Sequence, residues 1–210
     1  MTDTRQLLVL TAGRFGCAVA ERIAATEPNA TIKDLFVGLP HLDELVASTG
    51  FVALALWRRY PAIADAVDAA CVRHRVPWSS ATLEGKHLVI GPLVTPAKGP
   101  CYACYRRRWA AHLAQPEREF TLDAAYESDD TVGVPGFPPG TATVAAAGLA
   151  LDRADVMIAS GRVRMLDLVR CTFEETRVVR VHGCERCGQV LPPGTRYVRH
   201  LLPALAADRQ

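Results

Sequence analysis

Four of the seven cysteines occur in two Cys-x-x-Cys pairs, Cys101 with Cys104 and Cys184 with Cys187. Two intervening residues let both thiolates of a pair turn toward one ion. Two such pairs fill a tetrahedral shell and leave no open position for a catalytic water. We therefore predict a closed, structural Zn²⁺ site. Because 79 residues separate Cys104 from Cys184, the ion would join two distant segments of the chain.

The alternative for these cysteines is a set of unligated core thiols or a redox dithiol. A thioredoxin-like dithiol lies near the start of a β-α-β unit, whereas both pairs come late in this chain. No N-terminal secretion signal is recognisable, so we expect a cytoplasmic protein, and paired cysteines in a reducing compartment favour metal. The other three cysteines lie in apolar segments and are predicted to be buried packing residues: Cys17, Cys71 and Cys171.

A second candidate site is the glycine turn that begins at Thr11 and includes Gly13 and Gly16. Glycine turns between a strand and a helix bind dinucleotides, but here threonine replaces the first glycine of the Gly-x-Gly-x-x-Gly pattern. The acidic residue expected about twenty positions later has one candidate, Asp34, which falls inside the predicted strand Thr31–Leu39. We interpret Gly13 and Gly16 as a weak, vestigial cofactor site.

The elements that must position these residues follow from hydrophobic periodicity. The first 90 residues predict the order βαβαβαββ, which favours a mostly parallel, Rossmann-like α/β sheet with helices on both faces. The predicted strands are Leu7–Leu10, Thr31–Leu39, Phe51–Leu56, Pro77–Leu83 and His87–Ile90. The predicted helices are one ending at Ala25, a short one over Asp43–Ser48, and Ala62–His74.

The second half of the chain contains the zinc pairs and longer connections. Acidic residues, two glycines and three prolines predict a long mobile loop over Asp123–Pro139. A zinc-stapled C-terminal β-hairpin delivers the second cysteine pair. The predicted elements are helix Cys104–Gln115, helix Thr141–Ser160 with Gly161 as its cap, and hairpin strands Val163–Thr172 and Thr176–Val181. We predict a single domain over residues 1–210.

The composition is that of an ordinary globular protein. Half of the 210 residues are hydrophobic, 22% are charged and the net charge is +2, so no strong field recruits nucleic acid. Charged residues interrupt the longest apolar stretch, around Thr143–Ile158, which excludes it as a membrane span. The apolar helix Thr141–Ser160 is a candidate homodimer interface, although burial within the monomer is the favoured use.

The chain from Leu7 to Gly188 resembles the ThiF/MoeB-type family of ubiquitin-activating-like enzymes. The residues that carry this resemblance are Gly91-Pro-Leu-Val94, Pro96 and Pro100-Cys-Tyr-Ala-Cys104 followed by arginines. More specifically, the chain resembles the azoline-forming, ocin-ThiF-like branch, the cyclodehydratase partner proteins of thiazole/oxazole-modified ribosomal peptide and bacteriocin biosynthesis. The resemblance implies a structural zinc that a second Cys-x-x-Cys completes after a terminal hairpin.

Two departures from the family pattern bear on activity. Adenylating members carry an aspartate on the strand matched here by Phe51–Leu56, and this strand has none before Trp57. Together with Thr11 in the glycine turn, this predicts a chain that does not adenylate, which fits a branch whose YcaO-type partner spends ATP. Members of that branch usually carry an N-terminal clamp for the leader peptide. Because the sheet begins at Leu7, we expect another subunit to bind the precursor peptide.

The sequence therefore predicts a non-catalytic scaffold that docks a YcaO-type cyclodehydratase, with a structural Zn²⁺ as its cofactor. Two alternatives remain open. The first is an ATP-dependent adenylyltransferase that uses Gly13, Gly16 and an arginine such as Arg14 or Arg22. The second is a stand-alone peptide-binding module whose loop Asp123–Pro139 closes over a substrate.

Overall fold

The computed structural model describes residues 6–35, 41–129, 131–133 and 136–188. Seven strands and six helices are present in this part of the chain. In order they are β1 Leu7–Ala12, α1 Gly13–Thr26, β2 Thr31–Asp34, α2 Leu42–Ala47, β3 Phe51–Leu56, α3 Pro61–His74, β4 Trp78–Glu84, β5 His87–Ile90, α4 Tyr102–Ala111, α5 Pro116–Ser128, α6 Pro139–Ala154, β6 Arg162–Asp167 and β7 Thr172–Arg177.

All seven strands form one sheet in the order β2-β1-β3-β4-β5-β6-β7. The neighbours β2, β1, β3 and β4 are parallel, and β5, β6 and β7 each run antiparallel to the strand before them. Five strands consequently point in one direction, so the predicted mixed α/β fold with a mostly parallel sheet is confirmed. The connections leave β1 toward both sides, which places a topological switch point at the carboxyl ends of β1 and β3.

Two apolar layers cover the parallel part of the sheet. Helices α1 and α6 pack on one face, and α2, α3 and the start of α4 pack on the other. Every residue of β1 and β3 is buried, which explains why both strands are continuous apolar runs rather than alternating ones. Within the described part of the chain, no helix has the length and hydrophobicity needed to cross a membrane.

A buried ionic network ties α6 to the sheet. The carboxylate of Asp152 is fully buried and accepts hydrogen bonds from Ser79 of β4 at 2.6 Å and from Arg162 and Arg164 of β6 at 2.8 Å. A buried charge is tolerated only when it is paired and hydrogen-bonded, and Asp152 meets both conditions. This network lies on the α6 face of the sheet and serves the packing of that helix.

The segment Asp123–Pro139, predicted as a loop, is helical at its beginning. Residues 123–128 form the second half of α5, and residues 130, 134 and 135 lie outside the described residues. The helix begins with Pro116 and has Glu117 and Glu119 in its first turn, both of which favour a helix N-terminus. Its apolar periodicity is weak because α5 docks through charged side chains, so the sequence pattern missed it.

Several other predicted boundaries were wrong. Helix α4 spans Tyr102–Ala111 rather than Cys104–Gln115, and α6 ends at Ala154 rather than Ser160. Turns follow α6, and Gly161 leads into β6 instead of capping the helix. In the hairpin, a turn at residues 168–171 separates the strands, so Thr172 begins β7 rather than ending the first strand. The predicted strand Thr31–Leu39 ends at Asp34, and residues 36–40 lie outside the described residues.

Only one of the three unpaired cysteines is a packing residue as predicted. Cys71 is buried in α3, where burial raises the pKa of its thiol. Cys17 and Cys171 are exposed. The buried stripe of α1 passes through Phe15, Gly16 and Val19 and leaves Cys17 on the solvent side, and Cys171 lies in the turn between β6 and β7.

Candidate metal centre and glycine turn

The four paired cysteines lie together at one end of the molecule. Cys101 immediately precedes α4 and Cys104 lies in its first turn, while Cys184 and Cys187 lie in the turns that follow β7. The sulfur atoms are 3.6 Å apart for Cys101 and Cys184 and 3.4 Å apart for Cys104 and Cys187, and all four lie within 4.8 Å of one another. Thiolates around a tetrahedral Zn²⁺ are about 3.8 Å apart, so this spacing fits one metal ion.

Burial and local hydrogen bonds distinguish the four thiols. Burial raises the pKa of Cys101, and it raises that of Cys187 to about 11. At Cys184 burial acts in the same direction, but the backbone N–H groups of Cys187 and Arg186 outweigh it and lower the pKa to about 7. The backbone N–H of Val181 donates to the sulfur of Cys104 at 3.3 Å. Cys184 is therefore more readily a thiolate near neutral pH than Cys101 or Cys187.

Helix α3 carries a buried carboxylate beside both cysteine pairs. Asp68 is fully buried, and burial raises its pKa against the opposing effect of its hydrogen-bond donors. Sequence reasoning missed Asp68. Its signal was a charged residue on the apolar stripe of a helix, because Asp68 shares the buried face of α3 with Ala64, Val67 and Cys71.

The glycine turn follows β1 at the switch point, where Gly13 has a positive φ of 71°. A Cβ atom added to Gly13 would lie 2.4 Å from Cδ1 of Trp57, so the indole of Trp57 packs directly on the turn. Gly16 lies against β3, since a Cβ there would be 2.6 Å from the carbonyl oxygen of Ala55. Gly13 thus allows the close approach of an indole from the same chain, and Gly16 allows close packing of helix on strand.

Asp34 occupies a different position from the one predicted. It is the last residue of β2 rather than an internal one, because the strand is shorter than the apolar pattern indicated. The end of the second strand is where nucleotide-binding α/β folds carry the acidic residue that contacts a ribose. The acidic position of the pattern is therefore present.

Arg58 holds the end of α5 over the glycine turn. Its guanidinium group is buried and donates to the backbone carbonyls of Tyr126 at 2.6 Å, Asp129 at 3.0 Å and Val132. The same group lies over the rings of Trp57, Tyr60 and Tyr126, at 4.6, 4.6 and 5.1 Å from their centroids. One cation thereby fixes the segment after α5 beside the indole of Trp57.

The next residue, Arg59, attaches the body of α5. It donates to Asp123 and Glu119 of α5 at 2.7 Å each and lies 3.5 Å from Glu84 of β4. Arg106 of α4 also donates to Asp123, at 2.6 Å, and Asp123 is the only residue of α5 that is buried. Helix α5 is therefore held on the molecule by ion pairs rather than by an apolar face.

Comparisons with known proteins identify relatives of the fold. No protein-family model matches the sequence, and no curated protein matches it at a significant level. The structure of the heterocyclase TruD matches with a TM-score of 0.61 and 15% sequence identity, over 87% of this chain and 27% of that one. A heterocyclase in complex with substrate and cofactor matches with a TM-score of 0.62 and 11% identity, over 88% of this chain and 25% of that one.

E. coli MccB, in its crystal structure with ATP, has the same fold with a TM-score of 0.56 and 15% identity, over 89% of this chain and 68% of MccB. At sequence identities this low, the structural matches establish a shared fold alone. The chain spans about a quarter of the length of the two heterocyclases. The fold and the site thus define a mixed α/β domain that shares its fold with these structures and has a four-cysteine cluster that could hold a metal ion.

Proposed function

We propose that this chain is a non-adenylating scaffold subunit of an azoline-forming cyclodehydratase. It docks a YcaO-type enzyme and helps to position a precursor peptide whose cysteine, serine or threonine residues become azolines. The likeness of the fold to two heterocyclases supports this role, and so does the ThiF-type motif around the first cysteine pair.

The position of Trp57 carries the non-adenylating part of the proposal. Ligands of open α/β sheets bind outside the carboxyl ends of the strands, where backbone N–H groups of the glycine turn face a phosphate. In this chain the indole of Trp57 lies on Gly13, and a Cβ added to Gly133 on the other side would be 2.9 Å from Cζ3 of the same indole. A nucleotide at the turn would have to displace this indole, which also packs against the guanidinium group of Arg58.

The four cysteines would hold one Zn²⁺ as four thiolates in this proposal. Three of them are buried and Cys187 is half-buried, and their sulfur spacing fits a tetrahedral shell. Four thiolates leave no position for a substrate or a water, so the ion would contribute shape rather than bond chemistry. It would join the start of α4 to the turns after β7.

Reconstitution tests the scaffold role. The chain is incubated with a YcaO-type enzyme, ATP and the precursor peptide of that enzyme, and azoline formation is followed as a loss of 18 Da per ring. We expect the rate to fall at least tenfold when this chain is omitted. Equal rates with and without the chain would refute the scaffold role.

A second candidate function is ATP-dependent adenylation, which the position of Asp34 at the end of β2 and the fold of MccB favour. Pyrophosphate exchange into ATP by the purified chain distinguishes the two. We expect no exchange above background with the wild-type chain, with or without peptide. Exchange that disappears in the Asp34→Ala variant would establish adenylation instead.

A further inference from the structure

The buried carboxylate of Asp68 contacts both halves of the metal centre. Its Oδ1 accepts a hydrogen bond from the backbone N–H of Tyr102, the residue after Cys101, at 3.3 Å. Its Oδ2 accepts from Nη1 of Arg186, which lies between Cys184 and Cys187, at 3.1 Å. Residues separated by more than eighty positions in the sequence therefore share one carboxylate.

Two neighbours fix the carboxylate itself. The indole Nε1 of Trp78, a fully buried residue of β4, donates to Oδ1 of Asp68 at 3.1 Å. Helix α3 also presents Asp65, whose carboxylate receives two hydrogen bonds from Arg186, at 2.7 and 3.0 Å, and whose backbone carbonyl receives a third, at 3.0 Å. The second cysteine pair is thus attached to α3 through Arg186, and the first is attached through the N-terminus of α4.

These contacts position the two cysteine pairs without using a sulfur atom. We propose that Asp68 is a positioning residue of the four-cysteine metal centre: by binding Tyr102 N–H and Arg186 at once, it holds the two pairs at the spacing that a metal ion requires. The inference rests on the proposed metal site and adds that the site is organised from α3. Partners outside the ligand shell commonly change metal affinity by about 10- to 100-fold.

The amide of asparagine cannot replace this carboxylate. A carboxylate accepts at both oxygens, whereas asparagine has one oxygen acceptor and one NH₂ donor. Because all three partners of Asp68 are donors, an NH₂ group would face either Arg186 or the Tyr102 and Trp78 pair. Asp68→Asn therefore breaks the contact between residue 68 and at least one cysteine pair while it preserves the size of the side chain, and the hydrogen bonds from Arg186 to Asp65 remain.

The experiment measures Zn²⁺ transfer from the purified full chain to a chromogenic chelator, at a temperature where circular dichroism shows all variants folded. We expect Asp68→Asn to release Zn²⁺ at least tenfold faster than wild type. The matched control is Asp152→Asn, which alters an equally buried carboxylate in the α6 network and should leave the release rate within about twofold of wild type. Arg186→Gln, which removes only the link to the second pair, is the second variant if Asp68→Asn does not fold.

Each outcome decides one claim. Equal acceleration in Asp68→Asn and Asp152→Asn would mean that general destabilisation opens the site, and it would overturn the positioning role. Unchanged release from Asp68→Asn, or from Arg186→Gln where that variant is used, would overturn it as well. If the wild-type chain neither contains nor binds Zn²⁺, the proposed metal site is refuted, and the positioning role of Asp68 with it. The scaffold role is tested separately by azoline formation, so the two failures are distinguishable.

Discussion

The indole of Trp57 lies on Gly13, and a Cβ atom on that glycine would come within 2.4 Å of the ring. The residue that follows β3 and the residue that follows β1 therefore close the switch point against each other. This contact needs no ligand or partner, so its contribution can be measured as a change in the free energy of unfolding.

Gly13→Ala is expected to destabilise the protein by about 2–4 kcal/mol, because a positive φ costs a side chain about 1–2 kcal/mol and the indole must also move. Thermal or urea unfolding measures this loss. Gly85→Ala is the matched control, since Gly85 has a φ of 59° and no atom within 4 Å of an added Cβ. Gly85→Ala should therefore lower the free energy of unfolding only by the cost of a positive φ, about 1–2 kcal/mol. Equal losses at both positions would contradict close packing of Trp57 on the turn.

Metal content should depend on the four clustered cysteines alone. We expect about one zinc per wild-type chain by elemental analysis, and a strong decrease in Cys104→Ser together with a lower melting temperature, because metal binding contributes to folding. Cys17→Ser and Cys171→Ser are controls at exposed positions outside the cluster and should retain zinc. Retention of zinc by Cys104→Ser would place the metal elsewhere.

Metal affinity should weaken as the pH falls. Zinc binds thiolates, so protons compete with it, and the pKa of Cys184 is about 7 while burial keeps those of Cys101 and Cys187 higher. Lowering the pH from 8 to 6 therefore adds protons that the metal must displace. Co²⁺ titrations followed by thiolate-to-metal absorption should show a lower affinity at pH 6. An affinity independent of pH over this range would argue against thiol ligands.

Helix α5 should detach more readily than the sheet when its ion pairs are weakened. Asp123→Asn removes the charge that Arg59 and Arg106 share, at an expected local cost of about 1–3 kcal/mol. Hydrogen exchange read by mass spectrometry should then become at least about fivefold faster in α5 and remain unchanged in β3. Glu117→Gln, an exposed change that removes only a favourable charge from the first turn of the same helix, should accelerate exchange in α5 far less than Asp123→Asn does.

Much of the fold could be predicted because its signals are local. The apolar runs of β1 and β3 and the proline at the start of α3 carry their structure in a few adjacent residues. The close grouping of the four cysteines followed from the spacing rule for metal ligands. Helix α5 was missed because its docking depends on Arg59 and Arg106, which are distant in sequence and leave no periodic apolar stripe.

The details of the site depend on contacts that sequence spacing does not encode. Trp57 and Gly13 meet because β1 and β3 are adjacent and parallel, a relation fixed by the whole sheet. Asp68 contacts Arg186 across 118 positions for a similar reason. In both cases the residue type gave a hint, an aromatic after a strand or a carboxylate on an apolar helix face, but the partner became visible only in the folded chain.

A metal ion held between Cys104 and Cys184 would also close a ring in the chain. That ring contains α5, α6 and the hairpin of β6 and β7, so with a bound ion the antiparallel edge of the sheet and its covering helix form a loop with tied ends. After a single proteolytic cut inside the ring, the two fragments would remain associated through the ion, and a chelator would weaken that association. The ion would thus act as a cross-link that keeps a cleaved chain together, in addition to fixing the positions of the two cysteine pairs.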